Sequence, residues 1–479
     1  MPPLNFSIIL PLFTLTVWAC VLLLIDLFVK PKWLTALLAV LGLAVSLGMT
    51  ISQIGVSGTS FNNMVVLDGF SVFVDVLLLA TGLFSVALSY GYVKRMGIEH
   101  GEYYTLLLFS VAGMMLMAQA ADLIVVFLAL EMLSIPLYVL SAFARPRLES
   151  EEAGLKYFLL GAFSTGFVVY GIALVFGATG STALSAIVSS VSSGHSNVLL
   201  LTIGSALILV GLGFKVAAVP FHMWTPDVYQ GAPSSVTAFM AAGAKIAGFA
   251  ALLRVFALAF PSLASNMTPV IAVLSALTMI VGNVVAIAQT NIKRLLAYSS
   301  IAHAGYILMA FVPYGQPNVV ATSVAAGLFY LVAYVLTNFG AWAVVIALEK
   351  SEGRGLEISD YAGLGRKTPA LAAAMTIFML SLTGIPPTLG FVGKFYLFRA
   401  AIAGGFYLLA IIGMLTSLIS AYYYLRVVVM MYMREGEPET ASEPWLNITW
   451  GVTALLTVVV SLVPQYLFAW ASAAVLRLF

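Results

Sequence analysis

Charge is scarce in this chain of 479 residues: 8% are Asp, Glu, Lys or Arg, whereas 62% are hydrophobic. Soluble domains carry about 25% charged residues, so most of this surface faces something other than water. A soluble multi-domain protein, a disordered chain and a disulfide-rich secreted domain are all excluded. Cysteine is reduced to Cys20 alone, which forms neither an intramolecular disulfide nor a thiolate cluster for iron and sulfur. There is no GxGxxG run after a strand to cradle a dinucleotide. A net charge of +2 gives no basic stripe for nucleic acid.

What the chain has instead is long apolar runs. A helix needs about 20 apolar residues to cross roughly 30 Å of hydrocarbon, and about fourteen such runs are present. Their cores lie near 5–28, 34–53, 70–92, 104–120, 122–142, 157–176, 197–219, 234–259, 268–289, 295–312, 319–348, 369–400, 406–431 and 447–470. The first lacks a preceding basic residue and is too long for a signal-peptide core, so it is read as a retained span. Ten-residue alternating segments of a membrane β-barrel do not occur. The expected fold class is an all-α polytopic membrane protein embedded in a lipid bilayer.

Loop lysines and arginines orient such a chain. Alternate connections collect Lys30, Lys32, Lys94, Arg95, Arg145, Arg147, Lys156, Lys293, Arg294, Lys350, Arg354, Arg366, Lys367, Arg426 and Arg434, which is 15 of the 21 basic residues. The other face receives Arg254, Arg399 and Arg477 near helix ends. Both termini are therefore expected on the non-cytoplasmic side. The acidic segment 434–445 and the loop 349–368 are read as solvated cytoplasmic connections, or as docking surfaces for neighbours.

Lys215, Lys245 and Lys394 belong to neither face, because they interrupt apolar runs. A lysine at the bilayer centre costs about 2.5–3.5 kcal/mol on insertion scales. Glu131 lies nine residues beyond Asp122, about 13 Å at helical rise, and His303 lies equally far beyond Arg294. Lysines near helix ends, such as Lys156, Lys350 and Lys367, snorkel to the interface, but Lys245 has apolar or small residues for several turns on both sides. Burial disfavours the charged form of lysine and glutamate alike, and groups poised in that way exchange protons near neutral pH. Lys, Glu and His spaced through a membrane constitute a proton relay. The bland alternatives are a static ion pair for Glu131 and hydrogen-bonded packing for His303. His222 is a weaker candidate near an interface, and His100 and His195 are loop residues.

Two runs also carry helix breakers beside a lysine. Pro220 and Pro226 follow Lys215, while Gly384, Pro386 and Pro387 lead to Lys394. Proline frees a helical carbonyl, which at membrane depth is tolerated only beside protein or water. The breaks fall in the seventh and twelfth spans, which run in opposite directions. That placement is the signature of inverted repeats with broken helices. The expected division is 1–103 for three peripheral helices, 104–260 for the first five-helix repeat, 261–432 for the second, and 433–479 for an acidic loop and last helix.

Four long blocks then carry a family resemblance: FLALEMLSIPLYVLSAFARPRLESEEAGLKYFLLGAFSTG, KVAAVPFHMWTPDVYQGAPSSVTAFMAAGAKIAGFAALLRVF, TNIKRLLAYSSIAHAGYILM and ISDYAGLGRKTPALAAAMTIFMLSLTGIPPTLGFVGKFYLF. They resemble the N-subunit family of bacterial complex I, the NADH:quinone oxidoreductase, over most of the chain. The resemblance implies an antiporter-like, proton-translocating subunit of the membrane arm. It implies a Glu131–Lys215 pair, a connecting Lys245, a relay histidine at His303 and an outer half-channel lysine at Lys394. It further implies other membrane-arm subunits as partners, neighbouring antiporter-like subunits above all. FMN, the iron–sulfur clusters and the quinone site would then belong to partner subunits, in a bacterial cell membrane. The nearest alternative is a large subunit of a multi-subunit cation/proton antiporter. A third reading, a structural membrane subunit with inert polar pairs, predicts that Lys245→Ala affects assembly alone.

Overall fold

The computed structural model describes residues 5–194, 196–351 and 353–474. His195, Arg477 and both chain ends lie outside these residues. A hairpin of α1 (Phe6–Asp26) and α2 (Lys32–Ser52) leads through a short antiparallel pair, β1 (Gly58–Ser60) and β2 (Val65–Leu67), into α3 (Gly69–Arg95). Next come α4 (Glu102–Gln119), α5 (Leu123–Ser141), α6 (Leu148–Thr179), α7 (Leu184–Ser192) and α8 (Val198–Lys215). The centre of the chain holds α9 (Trp224–Gly231), α10 (Ser234–Phe239), a π-helical turn over Met240–Ala244, α11 (Lys245–Arg254) and a second π-helical turn over Val255–Ala259. The remainder comprises α12 (Ala264–Ile287), α13 (Ile292–Met309), α14 (Val320–Leu348), α15 (Leu364–Lys367), α16 (Pro369–Thr383), α17 (Leu389–Ala403), α18 (Tyr407–Met433), α19 (Pro444–Leu462) and α20 (Pro464–Ala473).

Among the described residues the regular structure is thus helical apart from this one small β-hairpin. Among the described residues, 11 helical segments are long and apolar enough to cross a membrane. Three of the expected runs miss that criterion for distinct reasons. Glu102 and Gln119 dilute α4, and Lys293, Arg294 and His303 dilute α13, although each has 18 residues and reaches about 27 Å. The twelfth run is divided into α16 and α17, 15 residues each. The last run is also divided, at Val463, where Pro464 starts α20.

Polar caps set the helix starts. Asp68, Asp122, Asn197 and Asn291 each accept backbone N–H groups at the head of α3, α5, α8 and α13, satisfying donors that hydrocarbon would leave bare. Outer helices show apolar side chains to the surroundings, among them Leu24, Phe163, Leu418 and Leu455. By contrast α10, α11 and α14 are buried almost throughout. The central helix α14 packs against α3, α10, α16, α17, α19 and α20.

Helices approach closely where small residues allow it. A Cβ on Gly282 of α12 would lie 2.6 Å from the Ala302 nitrogen of α13. The acidic segment 434–445 is not free in solvent along its whole length. Ala441 donates to the Ala347 carbonyl at 2.7 Å, and Glu439 and Glu443 pair with Lys350 and Arg95. The Lys350 ammonium holds the exposed Glu439 carboxyl below its usual range.

Gly282→Val should lower the unfolding stability of the α12–α13 region by about 1–3 kcal/mol through overpacking. Gly166→Val, whose Cβ meets nothing within 4 Å, should leave it unchanged. Thermal unfolding of the purified assembly distinguishes the two.

Candidate functional site

Lys215 is the last residue of α8. Its Nζ donates to Ser134 Oγ at 2.7 Å and to Tyr157 OH at 3.2 Å, and it is 3% exposed. The helix ends there because the backbone turns at Ala217, which has a φ of 62°, and Pro220 prevents a restart. Carbonyls freed by the break find partners: Trp224 Nε1 donates to the Phe214 oxygen at 3.0 Å, and the Trp224 ring stacks on Tyr157. The ammonium therefore sits at the negative end of a helix, which favours a cation. Pro226 lies in the first turn of α9, beyond the break itself.

Glu131 occupies the middle of α5, half-buried, and accepts a hydrogen bond from Thr165 Oγ1 of α6 at 2.8 Å. It is not an ion-pair partner of Lys215 in this structure. The two point to different neighbours, with Ser134 one turn along α5 taking the lysine. One helical turn separates the acceptor that Lys215 uses from the carboxylate implied for it.

Lys245 follows the π-helical turn Met240–Ala244 and is 2% exposed. Its Nζ donates to the Ser300 carbonyl of α13 and lies 5.7 Å from the Tyr334 ring centroid. Such turns inside helices occur frequently at functional sites. Gly248, one turn later on α11, lets the end of α8 approach: a Cβ there would be 2.8 Å from Val216 Cγ1, with the Lys215 stem in van der Waals range. Three residues along α13 from Ser300 stands His303, whose Nδ1 and Nε2 meet Tyr330 OH at 2.6 Å and Tyr424 OH at 3.2 Å.

Lys394 lies in α17 and donates to the Leu382 and Thr383 carbonyls at 2.9 Å each, and to Ser417 Oγ at 2.8 Å. Those carbonyls terminate α16. Gly384 caps that helix in the left-handed region with a φ of +88°, and its missing Cβ would be 2.8 Å from Lys394 Cδ. Pro386 and Pro387 keep 384–388 out of helix. Tyr306 bridges towards His303: its ring lies 4.5 Å beneath Lys394 Nζ and 5.8 Å from the imidazole, centre to centre. Lys245, His303 and Lys394 thus share a chain of hydroxyl and aromatic neighbours, and Lys215 approaches it from α8. Among the described residues no three His, Cys, Asp or Glu side chains gather as metal ligands.

Known proteins share this fold. A family model described as NADH:quinone oxidoreductase/Mrp antiporter, TM, matches residues 120–420. An NADH-quinone oxidoreductase subunit N from Chloroflexus aggregans is 47% identical over 98% of this chain and 96% of its own length. The chain belongs to the NADH-quinone oxidoreductase subunit N family. A chain of respiratory complex I from Thermus thermophilus superimposes on this subunit N family member with a TM-score of 0.84. It has 38% identity and covers 97% of this chain and 99% of that one. A chain of the Mrp complex from a Dietzia species superimposes with a TM-score of 0.86 at 20% identity, covering 98% of this chain and 97% of that one. At that identity the likeness speaks for the fold alone.

Several groups in this subunit N family member escape a reading by hydropathy. Arg254 is not a span-end residue reaching for solvent. It is 1% exposed, with NH1 and NH2 on the Asp68 carboxylate at 3.0 and 2.9 Å and Nε on the Ala118 carbonyl at 2.9 Å. Lys293 is likewise buried at 2% exposure, with its Nζ on the Ala232 carbonyl. The tyrosines around His303 carry no formal charge and break no helix, so a search for charged or helix-breaking interruptions does not mark them. His222 is 8% exposed beside the first break, and His100 is an exposed loop residue.

Removing one partner of a buried pair leaves an uncompensated charge costing about 3–5 kcal/mol. Arg254→Ala should therefore destabilise the subunit by that order. The double variant Arg254→Met with Asp68→Asn, which keeps an acceptor for the Ser71 N–H at the head of α3, should recover most of the loss, as thermal unfolding of the assembled complex would register.

Proposed function

We propose that this chain is a proton-translocating, antiporter-like subunit in the membrane arm of an NADH:quinone oxidoreductase. The observation that carries the proposal is the pairing of Lys215, Lys245 and Lys394 with helix discontinuities. Lys215 ends α8, Lys394 holds the terminal carbonyls of α16, and Lys245 follows a π-helical turn. A cation at the negative end of a short helix is held by dipoles and not by a fixed counter-charge. Its proton can be gained or lost without stranding an opposite charge in hydrocarbon.

The mechanism rests on alternatives that lie close together. In one state Lys215 bonds Ser134 and Tyr157. In the other its flexible stem swings one turn along α5 to Glu131, whose negative charge favours the protonated amine. Loss of that pairing favours release of the proton towards Lys245. From Lys245 the proton passes by Ser300 and the tyrosines to His303, which bonds a hydroxyl through each ring nitrogen and so accepts at one while donating at the other. Lys394 receives it beside Tyr306 and delivers it through the outer half of the second repeat.

In this reading 104–260 and 261–432 are inverted repeats, each with one broken helix, and the basic loops face the cytoplasm. Both termini lie outside a bacterial inner membrane, and neighbouring antiporter-like subunits flank the chain. FMN, iron–sulfur clusters and the quinone site belong to partner subunits, so redox energy arrives through contacts between subunits. The Mrp likeness supports a second reading, the large subunit of a cation/proton antiporter. The higher identity to proteins named subunit N favours the first.

In the intact complex in proteoliposomes, Lys215→Ala and Glu131→Ala should reduce NADH-driven proton pumping to a small fraction of the parent while the complex remains assembled. Pumping at the parent level in both variants would sink the proposal. Pumping is read as quenching of a ΔpH-sensitive dye.

A further inference from the structure

Glu349 follows the last turn of α14 in a stretch whose sequence reads as a solvated loop, yet it is 2% exposed. Its Oε1 accepts from Tyr92 OH at 3.3 Å, and its Oε2 has no partner. A carboxylate at the C-terminal end of a helix faces the negative pole, the unfavourable one. Lys293, within electrostatic range of Glu349, stands in the first turn of α13, at the unfavourable positive pole, and is equally buried. Neither placement helps the fold. Two further buried hydroxyls lie beside this carboxylate without a partner: Tyr361, within its electrostatic range, and Ser234 Oγ, whose own backbone N–H donates to Tyr92 OH at 3.0 Å. Buried groups of this kind are the ones that ordered water satisfies.

Two polar stripes lead inward from this cluster. On α14, Glu349, Trp342, Asn338 and Tyr334 follow one face at spacings of seven, four and four residues, about 22 Å in all. Trp342 is fully buried with an unpartnered Nε1. On α13, Lys293, Ser300 and His303 share a face at spacings of seven and three residues. The stripes converge at Lys245: Tyr334 OH donates to Ser300 Oγ at 2.9 Å, and Lys245 bonds the Ser300 carbonyl under the Tyr334 ring.

From this geometry we infer that Glu349 is the proton-collecting carboxylate of a water-lined route from the basic face to Lys245, running between α13 and α14. The inference rests on the proton-translocating reading above. Its ligands are water and the proton. Glu349 takes a proton from the basic face, and water between the two stripes passes it to Lys245.

Glu349→Gln keeps the side-chain volume and the acceptor for Tyr92 but cannot carry a proton. In the reconstituted complex it should lower NADH-driven proton pumping several-fold, and Glu349→Asp should restore much of it. Full pumping in Glu349→Gln overturns the inference when Lys215→Ala, measured alongside, has lost pumping. Full pumping in both variants overturns the proton-translocating reading and this inference with it. Should Glu349→Gln fail to assemble, X-ray radiolysis of the unaltered complex decides, because hydroxyl radicals form from bound water. Modification of Tyr361 and Trp342 well above that of the buried Tyr104 supports the route, and modification no faster than Tyr104 overturns it.

Discussion

A charge inside hydrocarbon must have a polar partner, and the rest of this structure depends on how that demand is met. The chain uses two solutions. Arg254 is met by a counter-charge, with the Asp68 carboxylate gripping its guanidinium through two hydrogen bonds. Lys394 is met by carbonyls and a hydroxyl, and Lys215 by hydroxyls at the end of a helix. The first solution fixes the charge permanently, because loss of either partner is expensive. The second tolerates both protonation states, because neutral dipoles remain satisfied when the amine gives up its proton. The difference separates a fixed ion pair from ammonium groups held by neutral dipoles within one protein.

That logic explains the irregular backbone. A continuous α-helix engages most of its carbonyls in its own ladder, and the two terminal carbonyls that hold Lys394 are open to it because α16 stops. Gly384 stops α16, adopting a conformation costly to other residues and leaving room for the Lys394 stem. The proline pair then holds 384–388 out of helix. At α8 the break is braced by Trp224, which caps the Phe214 carbonyl and stacks on the same tyrosine that binds Lys215. Tyrosine is well suited to the space between the sites. Its ring packs among apolar side chains, while its hydroxyl both donates and accepts.

The sequence made some of this legible. Glu131, Lys215, Lys245, His303 and Lys394 interrupt apolar runs, and hydropathy exposes such interruptions directly. Pro220 and the 384–387 cluster announced the breaks because proline lacks the donor a helix requires. Other features were hidden by the same averaging. Arg254, Lys293 and Glu349 lie near the ends of runs, where a charge can reach water or fold inward, and only tertiary neighbours decide which. The π-helical turn before Lys245 has no compositional mark. Glu131 bonds Thr165 while Lys215 bonds Ser134 and Tyr157, a choice among tertiary neighbours that spacing along the chain does not encode. Spans α4 and α13 carry Glu102, Gln119, Lys293, Arg294 and His303, so a composition threshold passes over them.

In the proposed relay Lys245 joins the two halves; it is buried, bonds the Ser300 carbonyl and, among the described residues, enters no ion pair. The most direct measurement is the number of protons translocated per NADH oxidised by the assembled complex carrying Lys245→Ala. The account predicts a ratio below that of the parent while the complex stays assembled and oxidises NADH. A ratio equal to the parent, in a complex of equal integrity, would contradict it.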